Sequence, residues 1–375
     1  MPNYKNPEQQ IAVFGESGSG KTVLLSSFFG MHAEPHLTNS IKWEVTADDF
    51  GQGSDLRRNY LQMKNSSAKP EPTRFKTSEY SFSLLLNDHQ VDAQSLRPDE
   101  TLRIKWHDYP GEWFEQGVSG AEEAKRRVDA FRSLLGSQVG LILVDAQRLI
   151  DNAGDEERYL KSLFGNFRNA LKSLKSDILP NGKRLTRFPR IWVIALSKAD
   201  LLPDMQVSEF RDLLIEKGRD EITALRDVLS EFCNFKKAFS LGEDFVLLSS
   251  AKFETTKIRV DENLGLNLLL PITAALPLER QARWIKQKIY AKKMVGDTSS
   301  LISKGYVFVV ETKFPKLAKF RINGIISEVL PDFLQASIRK DLRRKDMTTQ
   351  LLKDFFTTMK SAEEAERRIL MRSLR

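Results

Sequence analysis

Gly15-Glu16-Ser17-Gly18-Ser19-Gly20-Lys21-Thr22 decides the fold. The apolar run Ile11-Ala12-Val13-Phe14 leads into it, and Thr22 to Phe29 reads as a helix that Gly30 should end. A strand, a glycine-rich turn and a helix in this order aim main-chain N–H groups and a helix N-terminus at one point. Glycines at 15, 18 and 20 let the backbone wrap closely around an anion there. Lys21 would neutralise the β- and γ-phosphates of a bound polyphosphate, and the Thr22 hydroxyl would ligate Mg²⁺. Strand and helix signals then alternate. Strands are expected at Ser81–Leu86, Leu102–Trp106, Gly140–Val144, Ile191–Leu196 and Phe245–Leu248. Helices are expected at 121–135, about 155–175, about 207–232 and near 264–276. Such alternation predicts a three-layer α/β domain with a mostly parallel sheet and its ligand at the C-terminal strand ends.

Three more motifs fall at strand ends. Asp108-Tyr109-Pro110-Gly111-Glu112 follows the strand at Leu102–Trp106, where an acid can hold Mg²⁺ and the Gly111 N–H can approach a γ-phosphate. Ser197-Lys198-Ala199-Asp200 ends the strand at Ile191–Leu196. The Asp200 carboxylate can accept hydrogen bonds from N1–H and the 2-amino group of guanine, which adenine does not offer, and the Lys198 stem can cover the purine face. Ser250-Ala251-Lys252 follows the strand at Phe245–Leu248 and could offer a main-chain N–H to the guanine O6. Each of the three is weak alone; their order after the phosphate loop gives them weight.

With these four motifs the sequence resembles the P-loop GTPases of the translation-factor-related (TRAFAC) class over about its first 250 residues. The stretch Asp108-Tyr109-Pro110-Gly111-Glu112-Trp113 is more narrowly similar to the YcjX-like bacterial GTPases, a stress-associated group. The resemblance implies a mixed sheet with one antiparallel strand, binding of GTP or GDP with Mg²⁺, and hydrolysis of GTP. It makes Gly15 to Thr22, Ser197, Lys198, Asp200, Ser250, Ala251 and Lys252 the nucleotide-binding residues. Lys21, Thr73, Gly111 and Glu112 become the catalytic ones, and Thr22, Thr73 and Asp108 the metal ligands. Thr73, in the stiff segment Lys69-Pro70-Glu71-Pro72-Thr73, is the first choice for the switch threonine and Thr77 the alternative. Arg74 reads either as an arginine finger in cis or as an ordinary surface residue.

Two positions depart from the family pattern. Ser197 stands where Asn or Thr is usual, and its hydroxyl should still tie the base loop to the phosphate loop. Glu112 stands where many members place a Gln that orients the attacking water; a carboxylate there repels the γ-phosphate yet could accept the water's proton. Slow intrinsic hydrolysis is therefore expected. Trp113 and Phe114 read either as core packing or as reporters of a second switch.

Composition bounds the rest. The longest apolar runs, such as Gly140-Leu141-Ile142-Leu143-Val144, fall well short of a membrane span. Met1-Pro2-Asn3-Tyr4-Lys5 has no apolar segment, so neither export nor myristoylation is expected, and a cytoplasmic location is. One cysteine and four histidines argue against a disulfide framework or a zinc centre. The chain carries a net charge of +8, and 22 Lys and Arg against 11 Asp and Glu lie from Leu278 onward. That split suggests a GTPase domain at 1–277 and a basic, mainly helical extension at 278–375. Helices are expected at Leu278–Lys293, Ile325–Arg344 and Met347–Met371, with a strand at Tyr306–Val310. The polar stretch 31–72 reads as an inserted partner-binding loop or a surface excursion. A protein partner is favoured for the basic region, with nucleic acid or an anionic membrane surface as alternatives; self-association of the protein is a separate possibility. The readings that remain open are a hydrolysing switch and a GTP-dependent scaffold, with an ATPase third.

Overall fold

The computed structural model describes residues 8–33, 43–66, 78–86, 102–114, 120–185, 191–233, 240–254, 257–274, 276–277, 307–308, 320–321, 355, 357–364 and 366–371. Its strands are β1 (Glu8–Phe14), β2 (Trp43–Ala47), β3 (Ser78–Leu86), β4 (Leu102–Asp108), β5 (Val139–Asp145), β6 (Ile191–Ser197), β7 (Ser240–Leu247), β8 (Lys252–Phe253), β9 (Ile258–Arg259), β10 (Val307–Phe308), β11 (Phe320–Arg321) and β12 (Ile369–Leu370). The helices are α1 (Lys21–His32), α2 (Phe50–Ser66), α3 (Ala121–Leu134), α4 (Ala146–Asp151), α5 (Glu156–Ile178), α6 (Val207–Phe232) and α7 (Leu269–Ala274). Eight strands form one sheet in the order β12-β7-β6-β5-β1-β4-β3-β2. From β7 through β6, β5 and β1 to β4 every pairing is parallel. β5 and β6 are buried along their whole length, which is why their sequences are continuous apolar runs rather than alternating ones.

The expected antiparallel strand is β3, which pairs with β4 from Ser78–Asp108 to Leu84–Leu102. A second, two-residue antiparallel strand, β12, closes the other edge against β7. Helices cover both faces. α3, α5 and α6 pack on one through Phe131, Leu160, Phe164, Phe210, Leu214 and Leu229, a stripe recurring every three or four residues on each helix. α1 and α7 pack on the other with Leu25, Phe28, Leu269 and Ile272.

Several expectations are corrected. The stretch 31–72 holds β2 and the 17-residue α2, whose Leu56, Tyr60 and Met63 are buried. Part of its polar composition comes from the outer face of α2. Gly30 does not end α1, which runs on to His32; a Cβ at Gly30 would lie 2.1 Å from the Tyr60 ring, so this glycine lets α2 approach α1. The helix expected near 264–276 is a 3₁₀ turn, Leu266–Leu268, followed by the short α7. The single helix expected at Met347–Met371 stops after residues 357–364, turns at Arg367 (φ 52°) and ends as β12. Part of the expected strand at Tyr306–Val310 appears as β10, paired with β11. The helices expected at Leu278–Lys293 and Ile325–Arg344 lie outside the described residues. Among the described residues no helix is long and apolar enough to cross a membrane.

Candidate nucleotide site

The phosphate loop hangs from the end of β1, and the last residue of that strand is clamped by aromatics. Phe14 lies 4.7 Å from Phe167, 5.0 Å from Trp192 and 5.9 Å from Tyr109, centroid to centroid. Gly18 and Gly20 adopt φ 79° and 90°, backbone that side-chain-bearing residues rarely take up, and Gly20 immediately precedes α1. The Lys21 ammonium is buried inside the curve of the loop, donating to the carbonyls of Gly15 (2.8 Å) and Glu16 (3.0 Å). It also sits 5.3 Å from the centroid of Tyr109. A phosphate entering the loop would compete with those carbonyls for the ammonium, and the helix N-terminus behind it favours negative charge.

β4 lies directly beside β1, so its C-terminal end meets the loop. The Thr22 Oγ1 and Asp108 Oδ2 converge to 3.5 Å. Gly111 abuts the loop so closely that a Cβ on it would stand 2.3 Å from the Ser17 nitrogen and 2.5 Å from the Glu16 carbonyl carbon. Tyr109, not singled out by the sequence, accepts a 2.7 Å hydrogen bond from the Gly15 N–H. Ser17 Oγ donates to Glu112 Oε1 at 3.0 Å, which holds the residue after Gly111 on the loop as well. A hydroxyl and a carboxylate side by side are the hard oxygen donors that Mg²⁺ takes, and the cradle formed where a Cβ would not fit leaves main chain facing the same spot. The residues present therefore fit Mg²⁺ with a polyphosphate. Trp113 is buried, with its ring 5.8 Å from the Arg127 guanidinium, which also donates to the Trp113 carbonyl at 3.2 Å. Of the side chain of Phe114 nothing is described. Thr73, Arg74 and Thr77 lie outside the described residues.

The two motifs expected to read the base meet at the ends of β6 and β7. Ser249 Oγ lies 2.6 Å from Asp200 Oδ1 and 2.8 Å from the Ala251 carbonyl, joining the two motifs through a hydroxyl that the sequence reading passed over in favour of Ser250. The Ala199 N–H donates to the Leu248 carbonyl at 3.1 Å, fixing the same two loops. Lys198 adopts φ 55°, and its ammonium pairs with the buried Asp145 at 2.6 Å. One expectation fails here. The Ser197 hydroxyl donates to the Val144 carbonyl at 3.2 Å, so it anchors the base loop to β5 rather than to the phosphate loop. The Lys252 ammonium faces Glu262 at 3.3 Å, half exposed on the two-stranded β8–β9 ladder. The link to the phosphate loop comes from elsewhere. Arg148 of α4 pairs with the buried Glu16 at 2.6 Å and donates to the Ser17 carbonyl at 3.1 Å. Asp145, Arg148 and Ser249 escaped the sequence reading because a single Asp, Arg or Ser carries no pattern of its own.

The family model described as Double-GTPase 2 matches residues 9–231. A sequence search of the curated proteins found no match. Among solved structures, a Plasmodium falciparum protein described as nucleolar GTP-binding protein 1 is 14% identical with a TM-score of 0.34, over 80% of this chain and 100% of that one. The GTPase-like domain of Saccharomyces cerevisiae Ski7, bound to GTP, is 14% identical with a TM-score of 0.31, over 65% of this chain and 43% of its own. The signal recognition particle receptor SRβ-GTP/SRX complex from Chaetomium thermophilum is 18% identical with a TM-score of 0.31, over 66% and 91%.

Proposed function

This chain belongs to the Double-GTPase 2 family, GTP-binding proteins of the hydrolase class, and we propose that it is a Mg²⁺-dependent switch that hydrolyses GTP to GDP and phosphate. The observation that carries the reading is the convergence of Lys21, the Thr22–Asp108 pair and Gly111 on one glycine-rich loop at the end of β1. Lys21 and the α1 N-terminus take the phosphate charge. Thr22 and Asp108 are the side chains that would hold Mg²⁺, which when bound draws charge from the β- and γ-phosphate oxygens. Glu112 accepts the proton of the water whose oxygen bonds to the γ-phosphorus as the bond to the β–γ bridging oxygen breaks. Asp200, steadied by Ser249, reads guanine, and the Lys198 stem lies along the purine face. Thr73 completes the γ-phosphate clamp, and the segment around Glu112 and Trp113 signals the nucleotide state to a protein partner met by the basic region from Leu278 onward. The stretch Asp108–Trp113 supports a narrower kinship with the YcjX-like proteins.

Calorimetry with GTP, ATP and XTP in the presence of Mg²⁺ tests this. Wild type should bind GTP and discriminate against ATP. Asp200→Asn should lose preference for GTP and gain affinity for XTP, because an amide can donate to the 2-oxo group of xanthine. Unchanged GTP selectivity in Asp200→Asn would remove Asp200 as the base reader.

A further inference from the structure

The short helix α4 begins where β5 ends, and its first turn is held on several sides. Asp145 caps it by accepting from the Gln147 N–H at 2.9 Å and also takes the Lys198 ammonium at 2.6 Å. The Asp145 N–H donates to the buried Tyr159 hydroxyl at 2.9 Å. One residue beyond Gln147, Arg148 reaches across 132 positions of sequence to the phosphate loop. Its two terminal nitrogens engage consecutive loop residues, Nη1 on Glu16 Oε2 at 2.6 Å and Nη2 on the Ser17 carbonyl at 3.1 Å. Glu16 is 4% exposed, so water does little to screen that pair. The same Ser17 then presents its hydroxyl to Glu112 at 3.0 Å.

We infer that Arg148 is a positioning residue for hydrolysis: it fixes Ser17 in the phosphate loop so that the Ser17 hydroxyl orients Glu112 toward the attacking water. The inference rests on the proposed role of Glu112. Ser17 is followed by Gly18 at positive φ, a pivot that a small torsional change would swing. A guanidinium suits the task because its planar fork holds two acceptors in fixed relation, which a single ammonium does not. Glu16 gives the fork its charge partner, and Ser17 supplies the carbonyl that sets its own side-chain direction. Through Asp145 the platform that aims Arg148 is also the anchor of Lys198, so the base loop and the phosphate loop share one support.

Single-turnover GTP hydrolysis and calorimetry with a non-hydrolysable GTP analogue, both on the full chain with Mg²⁺, separate positioning from binding. Arg148→Ala should slow hydrolysis by about 10- to 100-fold, the scale of an ångström-sized misplacement, while analogue affinity changes by less than about threefold. Arg148→Lys should fall between Arg148→Ala and wild type, and it guards against a fold defect in the alanine variant, as do thermal melts of both. Ser17→Ala should lose a similar factor, and the double variant should be no slower than the slower single one. A wild-type rate in Arg148→Ala, a faster rate, equal losses in rate and affinity, or multiplying losses in the double variant would each overturn the inference. Glu112→Ala distinguishes the two layers. A slow Glu112→Ala beside an unaffected Arg148→Ala sinks the positioning role alone, whereas an unaffected Glu112→Ala removes the proposed role of Glu112 and this inference with it.

Discussion

At the scale of single residues, the phosphate loop and its neighbours are set by where a side chain cannot go. Gly111 illustrates this. The sequence placed it after an acid at a strand end, and the structure adds the reason for glycine: any Cβ on it would run into the main chain of Glu16 and Ser17. A methyl group there would stand 2.3 Å from the Ser17 nitrogen, and backbone cannot swing aside as a side chain can. Gly111→Ala should therefore displace the phosphate loop or the Gly111–Phe114 turn. We expect hydrolysis to fall at least tenfold and analogue affinity to fall with it, measured by single-turnover phosphate release and calorimetry. A variant that kept both would show that the contact yields freely. The same scale sets the limit of sequence reading. Lys21, Thr22, Asp108 and Gly111 were legible because short motifs fix their spacing to a strand end. Arg148 and Ser249 act on partners 132 and 49 positions away, and a contact made by folding leaves no local periodicity to find.

Among the elements, α1 shows how a helix boundary follows from tertiary packing rather than from its own residues. Gly30 is a common terminator, yet α1 continues to His32 because Tyr60 of α2 fills the space beside the glycine. The helix then ends with His32 itself buried, its Nδ1 2.8 Å from the Phe28 carbonyl and its ring 4.9 Å from the Phe28 ring. Burial disfavours the charged imidazolium and lowers the His32 pKa below 6.5, against a smaller opposite effect of the Phe28 hydrogen bond. The unfolded chain, with a histidine near 6.5, then takes up a proton before the folded one does. Stability from this group is complete above about pH 6.5 and is lost as pH falls below it, at no more than about 1.4 kcal/mol per pH unit. Thermal midpoints at pH 7.5 and 5.5 should differ more for wild type than for His32→Gln. Some acid sensitivity should persist in the variant, because burial lowers His107 as well. Equal pH dependence in the two proteins would mean that His32 is already accommodated as a cation.

For the whole molecule, the charge split at Leu278 suggested a basic, mainly helical extension at 278–375, and averages over a hundred residues concealed a short apolar stripe. Phe355, Met359 and Ala362 recur at spacings of four and three, the period of one helix face, and all three are buried. With Ile369 and Met371 they join the core that also holds Ile11 and Val13 of β1 and Leu269 and Ile272 of α7. The returning chain is bonded to its neighbours as well as packed on them: the Leu247 N–H of β7 donates to the Arg368 carbonyl at 2.9 Å, and the Val207 N–H at the start of α6 to the Arg367 carbonyl at 3.2 Å. The first of these bonds braces β7 just before Leu248 and Ser249, which bond to Ala199 and Asp200, so the returning chain reaches the candidate site through β7. Met359 is fully buried within this group, and Met359→Ala should lower the unfolding free energy by about 2–5 kcal/mol, the usual cost of emptying such a core position. Denaturant titration followed by the intrinsic fluorescence of Trp106 and Trp192, both buried in the central sheet, reads that loss directly. If residues 355–371 are integral to the core, the whole transition moves to lower denaturant. A transition that stayed in place would mean that the sheet stands without them.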